Sequence, residues 1–222
     1  MATEMPTEEL CDRFDGIYTG AVTDVLDDHG YYDQTLDVDI EPLKRGMTTA
    51  GPAYPIRGRP NFGIDEEENI RKILKMLGSA PEHAVLVYDT NDTGEASHLG
   101  ELSIEALMQQ DCNGAVVDGG IRDVVFMLEE DFPVFSKYHT PADAVIRWEI
   151  LEWDVSTTVG GVEIEPGDII VGDVDGVVSV PQEIAVDVLH DVEELAETED
   201  AIREAVRGGA TPLEAYEEYG VF

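Results

Sequence analysis

Apolar residues recur along this chain with two different periods, and the switch between them organises it. Thr7–Tyr18 and Gly20–Asp28 carry helical spacing, with Thr7 and Thr19 placed as starts and Gly30 as a stop. Leu43–Arg57, broken by Gly46, Gly51, Pro52 and Pro55, reads as a strand with turns. Asp65–Leu77 sets Ile70, Ile73, Leu74 and Leu77 on one helical face and stops at Gly78. Ala84–Tyr88 is a short apolar run of the kind found in buried strands. A polar loop, Asp89–Leu99, follows it. Glu101–Asp111 then predicts a helix with Leu102, Ile104, Leu107 and Met108 inward and Asn113-Gly114 as its stop. Ala115–Val117 is the next strand, a helix carrying Arg122 comes after it, and Pro133-Val134-Phe135 opens another strand. Successive strand–helix units imply parallel pairing.

From Val155 to Pro181 the period shortens. Turn signals at Gly160-Gly161, Pro166-Gly167 and Asp175-Gly176 predict antiparallel hairpins packed on the same core. Glu183–Arg207 is one long amphipathic helix ending at Gly208-Gly209. The tail Thr211–Phe222, with Tyr216, Tyr219 and Phe222, reads either as an oligomer contact or as a local core patch. No linker, repeat or low-complexity stretch interrupts the pattern, so residues 1–222 read as a single α/β domain with 208–222 as its tail.

Composition adds one strong constraint. The chain has 222 residues, 13 basic and 49 acidic, for a formal charge of −36. With 43% hydrophobic residues it has material for a core, so the charge does not mark a disordered tail. Scarce lysine and excess acid suit molar salt, where a Debye length of about 3 Å screens self-repulsion. The expectation is a halophilic, cytoplasmic protein. Such a charge excludes a nucleic-acid or anionic-membrane surface, each of which needs a basic footprint. An anionic small molecule stays open, because Arg122 and helix N-termini act locally. Cys11 and Cys112 lack metal-type spacing and read as ordinary thiols. The acidic start Met1–Pro6 has no apolar signal core, and no apolar run reaches membrane-spanning length.

The candidate chemistry centres on Val116-Val117-Asp118-Gly119-Gly120-Ile121-Arg122-Asp123. An apolar run, a glycine pair and an Arg-Asp pair read as strand, tight turn and first helical turn. That order sets a cation beside a carboxylate at the mouth of an α/β sheet, where such folds bind ligands. The arginine can grip a carboxylate or carbonyl oxygen, and the aspartate can hold a divalent metal. As an exposed pair alone, Arg122 and Asp123 are worth only about 0–1 kcal/mol.

Several segments together resemble the RraA-like family, which includes class II 4-hydroxy-4-methyl-2-oxoglutarate aldolases. They are Ala21–Leu26, Ala50–Ala53, Gly100–Leu102, Val117–Asp123 and Gly161–Val178, within a match from about Gly20 to Arg207. The resemblance implies a swivelling β/β/α-type fold with a mixed sheet and a long C-terminal helix. It implies a homotrimer or hexamer with the active site at the subunit interface. It also implies Mg²⁺ or Mn²⁺, and cleavage of 4-hydroxy-2-oxo acids to pyruvate or decarboxylation of oxaloacetate through a metal-stabilised pyruvate enolate. Carried onto this sequence, Gly100, Glu101, Leu102, Ser103 and Arg122 bind the pyruvate moiety, and Asp123 anchors the metal. A glutamate from a neighbouring subunit matches Glu199 best, with Glu193, Glu194 and Glu197 as alternatives on the same helix.

The residues support this chemistry on their own terms. The start of the Glu101 helix offers backbone N–H groups to a carboxylate, and Arg122 can neutralise an oxygen that gains charge. One departure stands out. The family usually has an acidic residue three positions after the metal aspartate, where this chain has Phe126. Asp118 or a neighbour's glutamate is the candidate substitute. His98, two residues before Gly100, reads either as a ligand contact or as a solvated loop side chain, the commoner role of a lone loop histidine. Two other readings compete with the lyase: a non-catalytic regulator of the ribonuclease-inhibitor type, which lacks the metal aspartate, and a methyltransferase, which would need a glycine-rich nucleotide loop that this chain does not have.

Overall fold

The structure is a computed structural model that describes residues 5–221. In chain order it contains α1 (Thr7–Asp15), α2 (Thr19–Asp28), β1 (Glu41–Pro42), β2 (Thr49–Pro60), α3 (Glu66–Leu77), β3 (Val85–Asp89), β4 (Ser97–Leu99) and α4 (Glu101–Met108). Then come β5 (Gly114–Ile121), α5 (Val124–Glu129), β6 (Val134–His139), β7 (Trp148–Trp153), β8 (Thr157–Val159), β9 (Val162–Ile164), β10 (Ile169–Asp173) and β11 (Gly176–Val180). A 3₁₀ turn (Gln182–Ile184) leads into α6 (Ala185–Arg207), and α7 (Pro212–Tyr219) ends the described chain.

One mixed sheet runs β1-β6-β5-β3-β2-β10-β11, with β4 added on β5 and β7 on β2. The β2–β3, β3–β5 and β5–β6 pairs are parallel, as the strand–helix succession requires. β10 joins β2 antiparallel and turns into β11, so the predicted hairpin extends the same sheet. β8 and β9 form a separate antiparallel hairpin through Gly160 and Gly161, both at positive φ.

Three apolar clusters hold these layers. One lies between the sheet and the α3–α5 side, around Tyr88, Leu99, Ile104 and Trp148. A second packs α1, α2 and α6 on β10 and β11 through Phe14, Leu26, Val188 and Leu189. The third closes the β8–β9 hairpin over Val87, Phe135 and Ile170.

Four expectations need correction. The Gly119-Gly120 pair is no turn: β5 runs through it to Ile121. Its glycines are required by packing, since a Cβ on Gly120 would stand 2.3 Å from the Tyr138 ring and 2.5 Å from the Ala96 carbonyl oxygen. Asn113-Gly114 does not close a helix, because Gly114 opens β5. The polar loop after β3 hides β4, which is too short to show alternation. β7 is an addition to the predicted elements: its alternation, Trp148-Glu149-Ile150, lasts only three residues before the exposed Leu151 breaks the period. The tail forms α7, capped reciprocally by Thr211 and Glu214, with Ala215 buried and Tyr216 exposed. Phe222 lies outside the described residues.

Candidate active site

Three strand ends converge on one cavity. β4 delivers His98 and Leu99 and passes through Gly100 into α4. β5 ends at Ile121 and hands on Arg122 and Asp123. The loop after β6 brings Asp143 and Ala144. The cavity measures about 420 Å³, and Gly100, Glu101, Leu102, Ser103, Arg122 and Asp123 all line it.

The backbone fixes the charged pair. The Arg122 N–H donates to the Leu99 carbonyl at 3.0 Å, continuing the β4–β5 pairing one residue past the strand. Asp123 is the N-cap of α5 in the left-handed conformation, φ 56° and ψ 34°, which Asp tolerates better than most residues. The helix therefore starts at Val124 rather than at Arg122. This turn points both side chains back toward Gly100. Asp123 Oδ2 accepts the Glu101 N–H at 3.1 Å and lies 3.6 Å from Arg122 Nε. A Cβ at Gly100 would sit 2.7 Å from that same oxygen, so glycine leaves the carboxylate its place. The first N–H of α4 is thus taken by the protein's own aspartate. That leaves the Leu102 N–H without an acceptor among the described residues.

Arg122 has a second partner that sequence reasoning missed. Its Nη1 lies 3.2 Å from Asp143 Oδ2, which holds the guanidinium across the cavity mouth. Only an aspartate in a Pro-Ala-Asp loop signalled this role, and its distance along the chain from Arg122 hid it. Arg122, Asp123 and Asp143 keep 37–42% of their side-chain surface exposed, so ligand can reach them.

Other singled-out residues fall elsewhere. Asp118 is no substitute metal ligand: its two oxygens take Lys137 Nζ at 2.6 Å and the Gly160 N–H at 2.8 Å, on the hairpin side of the sheet. Phe126 packs against the apolar cluster beneath α5. Glu199 lies on α6, where it accepts the Tyr18 hydroxyl, and does not line this cavity. His98 is not a solvated loop side chain. Both ring nitrogens are buried without a well-formed hydrogen bond, the ring meets Trp148 edge-on at 5.1 Å, and burial pushes its pKa down to about 4.

No group of three or more His, Cys, Asp or Glu side chains forms a metal cage among the described residues. The carboxylates at the mouth that could hold one hard cation are Asp123 and the neighbouring Glu101, since Mg²⁺ typically keeps several waters while binding one or two carboxylates.

The Aldolase/RraA family model matches residues 7–179, and the chain belongs to the RraA-like family. It is 29% identical over 204 residues to a Halalkalibacterium halodurans protein named as a proposed 4-hydroxy-4-methyl-2-oxoglutarate aldolase, covering 92% of this chain and 91% of that one. It is also 29% identical to protein DlpA of Legionella pneumophila over 89% of this chain and 32% of DlpA, so it spans about a third of that relative. A solved structure described as a novel cellulase from gut-associated microbes superposes with a TM-score of 0.85, at 34% identity over 90% of both chains. Streptomyces coelicolor RraAS2, described as an unusual member of the RNase ES inhibitor RraA family, superposes at 0.79 with 25% identity, over 90% of this chain and 98% of that one.

Proposed function

We propose that this chain is a divalent-metal-dependent lyase releasing pyruvate from 4-hydroxy-2-oxo acids of the 4-hydroxy-4-methyl-2-oxoglutarate type, or by decarboxylating oxaloacetate. One observation carries the reading: Arg122 is held by Asp123 and Asp143 at the mouth of a cavity that also opens on the N-terminus of α4. Arg122 can bind the substrate's 2-oxo oxygen, and the Leu102 N–H and the Ser103 hydroxyl can take its carboxylate. Cleavage breaks the C3–C4 bond and sends the electron pair toward that 2-oxo oxygen, while the C4 hydroxyl passes its proton to water and becomes the carbonyl of the second product. The enolate then takes a proton from water at C3 to give pyruvate. In decarboxylation the pair comes from the bond to the departing CO₂. Arg122, already oriented, stabilises the charge as it forms. Asp123, with Glu101 beside it, would hold Mg²⁺ or Mn²⁺, which supplies Lewis acidity at the same oxygens.

A homotrimer or hexamer completes this proposal. Leu102, Val125 and Ile146 are 83%, 69% and 48% exposed, and each lies in or beside the segments that form the mouth. Packing a neighbouring copy there would cover them and bring in an acidic residue such as Glu199. The likeness to RraAS2 supports a second reading, a regulatory binding protein. The cellulase description does not carry over, because glycosidases set two carboxylates across an open gap. Here Arg122 stands between Asp123 and Asp143.

The test is pyruvate release from 4-hydroxy-4-methyl-2-oxoglutarate and from oxaloacetate in molar KCl, with Mg²⁺ or Mn²⁺ against excess chelator. Metal-dependent release is expected, and Arg122→Ala and Asp123→Ala should each reduce it by at least about 10²-fold while the protein stays folded. Near-normal turnover in either variant defeats the mechanism. A folded wild-type protein that releases nothing from these dicarboxylates, nor from a 4-hydroxy-2-oxo acid with an apolar tail, favours the regulator.

A further inference from the structure

We infer that the inner half of the cavity selects an uncharged, apolar substrate tail, so the preferred 4-hydroxy-2-oxo acid carries an alkyl or aryl group beyond C4 rather than a second carboxylate. The inference rests on the lyase reading and narrows it, favouring monocarboxylic 4-hydroxy-2-oxo acids over dicarboxylates such as 4-hydroxy-4-methyl-2-oxoglutarate. Its structural basis is the cavity itself.

The cavity is polarised along its depth. Its charged side chains, Glu101, Arg122, Asp123 and Asp143, stand at the accessible mouth. The opposite wall belongs to the cluster under the sheet: Met76, Leu99 and Trp148 are 1–2% exposed, with Ile73 and Val145 half-buried beside them, and its polar groups are neutral, chiefly the buried Tyr88 and the unpartnered Trp148 Nε1. Among the described lining residues Arg122 is the only Lys or Arg, and two aspartates already hold it. A 2-oxo acid whose head occupies Arg122 and the α4 N-terminus therefore points its tail at a wall without a cation. The remaining basic candidate on that wall is His98. It lies edge-on to Trp148 with both ring nitrogens buried, and burial keeps it neutral at physiological pH. A carboxylate there would lose its hydration and gain no countercharge, which is strongly unfavourable. An apolar tail would gain from the same burial, as ligands do in cavities of this size.

Two uncleavable probes test this without turnover. Calorimetric titration of the full chain in molar KCl, with and without Mg²⁺, compares 2-oxo-4-phenylbutanoate with 2-oxoglutarate. They share the 2-oxo acid head and differ in the tail. The phenyl probe should bind at least ten-fold tighter. Val145→Arg places a cation on the inner wall and keeps the backbone contacts of residue 145, so it should raise 2-oxoglutarate affinity at least ten-fold and narrow or reverse the preference. Equal or tighter binding of 2-oxoglutarate to the wild-type protein overturns the inference, as does binding of neither probe. A parallel assay of pyruvate release compares 4-hydroxy-2-oxo-4-phenylbutanoate with 4-hydroxy-4-methyl-2-oxoglutarate. Selective probe binding without pyruvate from either compound would refute the lyase and leave the tail pocket standing. Pyruvate release with a preference for the dicarboxylate would refute the tail pocket and leave the lyase standing.

Discussion

Single residues at the cavity are constrained by neighbours that are remote in the chain. Gly100 has an ordinary extended backbone, φ −149°, so its lack of a side chain serves space rather than conformation. Gly100→Ala should leave the melting temperature nearly unchanged, displace the Asp123 carboxylate and lower pyruvate release on the order of 10²-fold, as small misplacements in active sites do. Steady-state kinetics beside a thermal melt separates the two effects, and unchanged kinetics would remove Gly100 from the positioning of Asp123. His98 carries a pH signature. Burial lowers its pKa from 6.5 to about 4, outweighing the opposing pull of the Gly120 backbone. Between those values the unfolded chain binds a proton that the folded chain refuses. This contribution to stability is complete above pH 6.5 and is lost as pH falls toward 4, by at most about 3 kcal/mol. Urea unfolding across that range should show the loss in wild type and a flatter profile in His98→Phe. Identical profiles would mean that His98 is solvated.

At the scale of elements, α3 and β7 are joined by one buried amide. Asn69 donates to the Val145 and Trp148 carbonyls at 2.9 and 2.8 Å and accepts the Ile150 N–H at 3.2 Å. Those bonds position the strand that supplies Trp148 to the inner wall. Asn69→Leu leaves three backbone groups unpaired, and at about 1–3 kcal/mol each it should cost at least about 3 kcal/mol in urea unfolding at high salt. A loss below about 1 kcal/mol would show that water or a shifted strand replaces the amide. The helices from α1 to α4 were readable as helices from their apolar period, but not always their buried faces: Leu74 and Leu102, expected inward, are 62% and 83% exposed, while Asn69 and Met76 are buried. β5 outruns the expected Ala115–Val117 because Gly119-Gly120, turn vocabulary in one dimension, is strand here. What distinguishes the two is the contact of Thr90 and Tyr138 with the strand, and both come from other strands or their ends.

For the whole molecule, the charge of −36 is the governing quantity. Thirteen basic side chains cannot pair 49 acidic ones, so most of the self-repulsion must be screened by solvent ions. The melting temperature should climb between 0.1 M and 2 M KCl. A gain of about 3 kcal/mol corresponds to roughly 6–12 °C in a chain of this size. A melting temperature independent of salt would end the halophilic proposal. No helix among the described residues is long and apolar enough to cross a membrane, in keeping with the composition.

The sequence by itself determined what depends on near neighbours: the helical periods, the hairpin turns at Gly160-Gly161 and after β10, the parallel succession of strand–helix units, and the local order Gly100, Glu101, Arg122, Asp123. It also carried the family resemblance, because the spacing of those motifs survives in one dimension. The tertiary structure alone decided which carboxylates surround Arg122. Asp143 was brought in by the loop after β6, Asp118 was drawn away by Lys137, and Glu199 was set on α6 with Tyr18. It also decided that His98 is buried and that the charged side chains of the cavity gather at its exposed side, away from the buried Met76, Leu99 and Trp148. The physical reason is that burial and charge pairing depend on distance in space, and the chain reveals that distance only after the sheet has set its strand order.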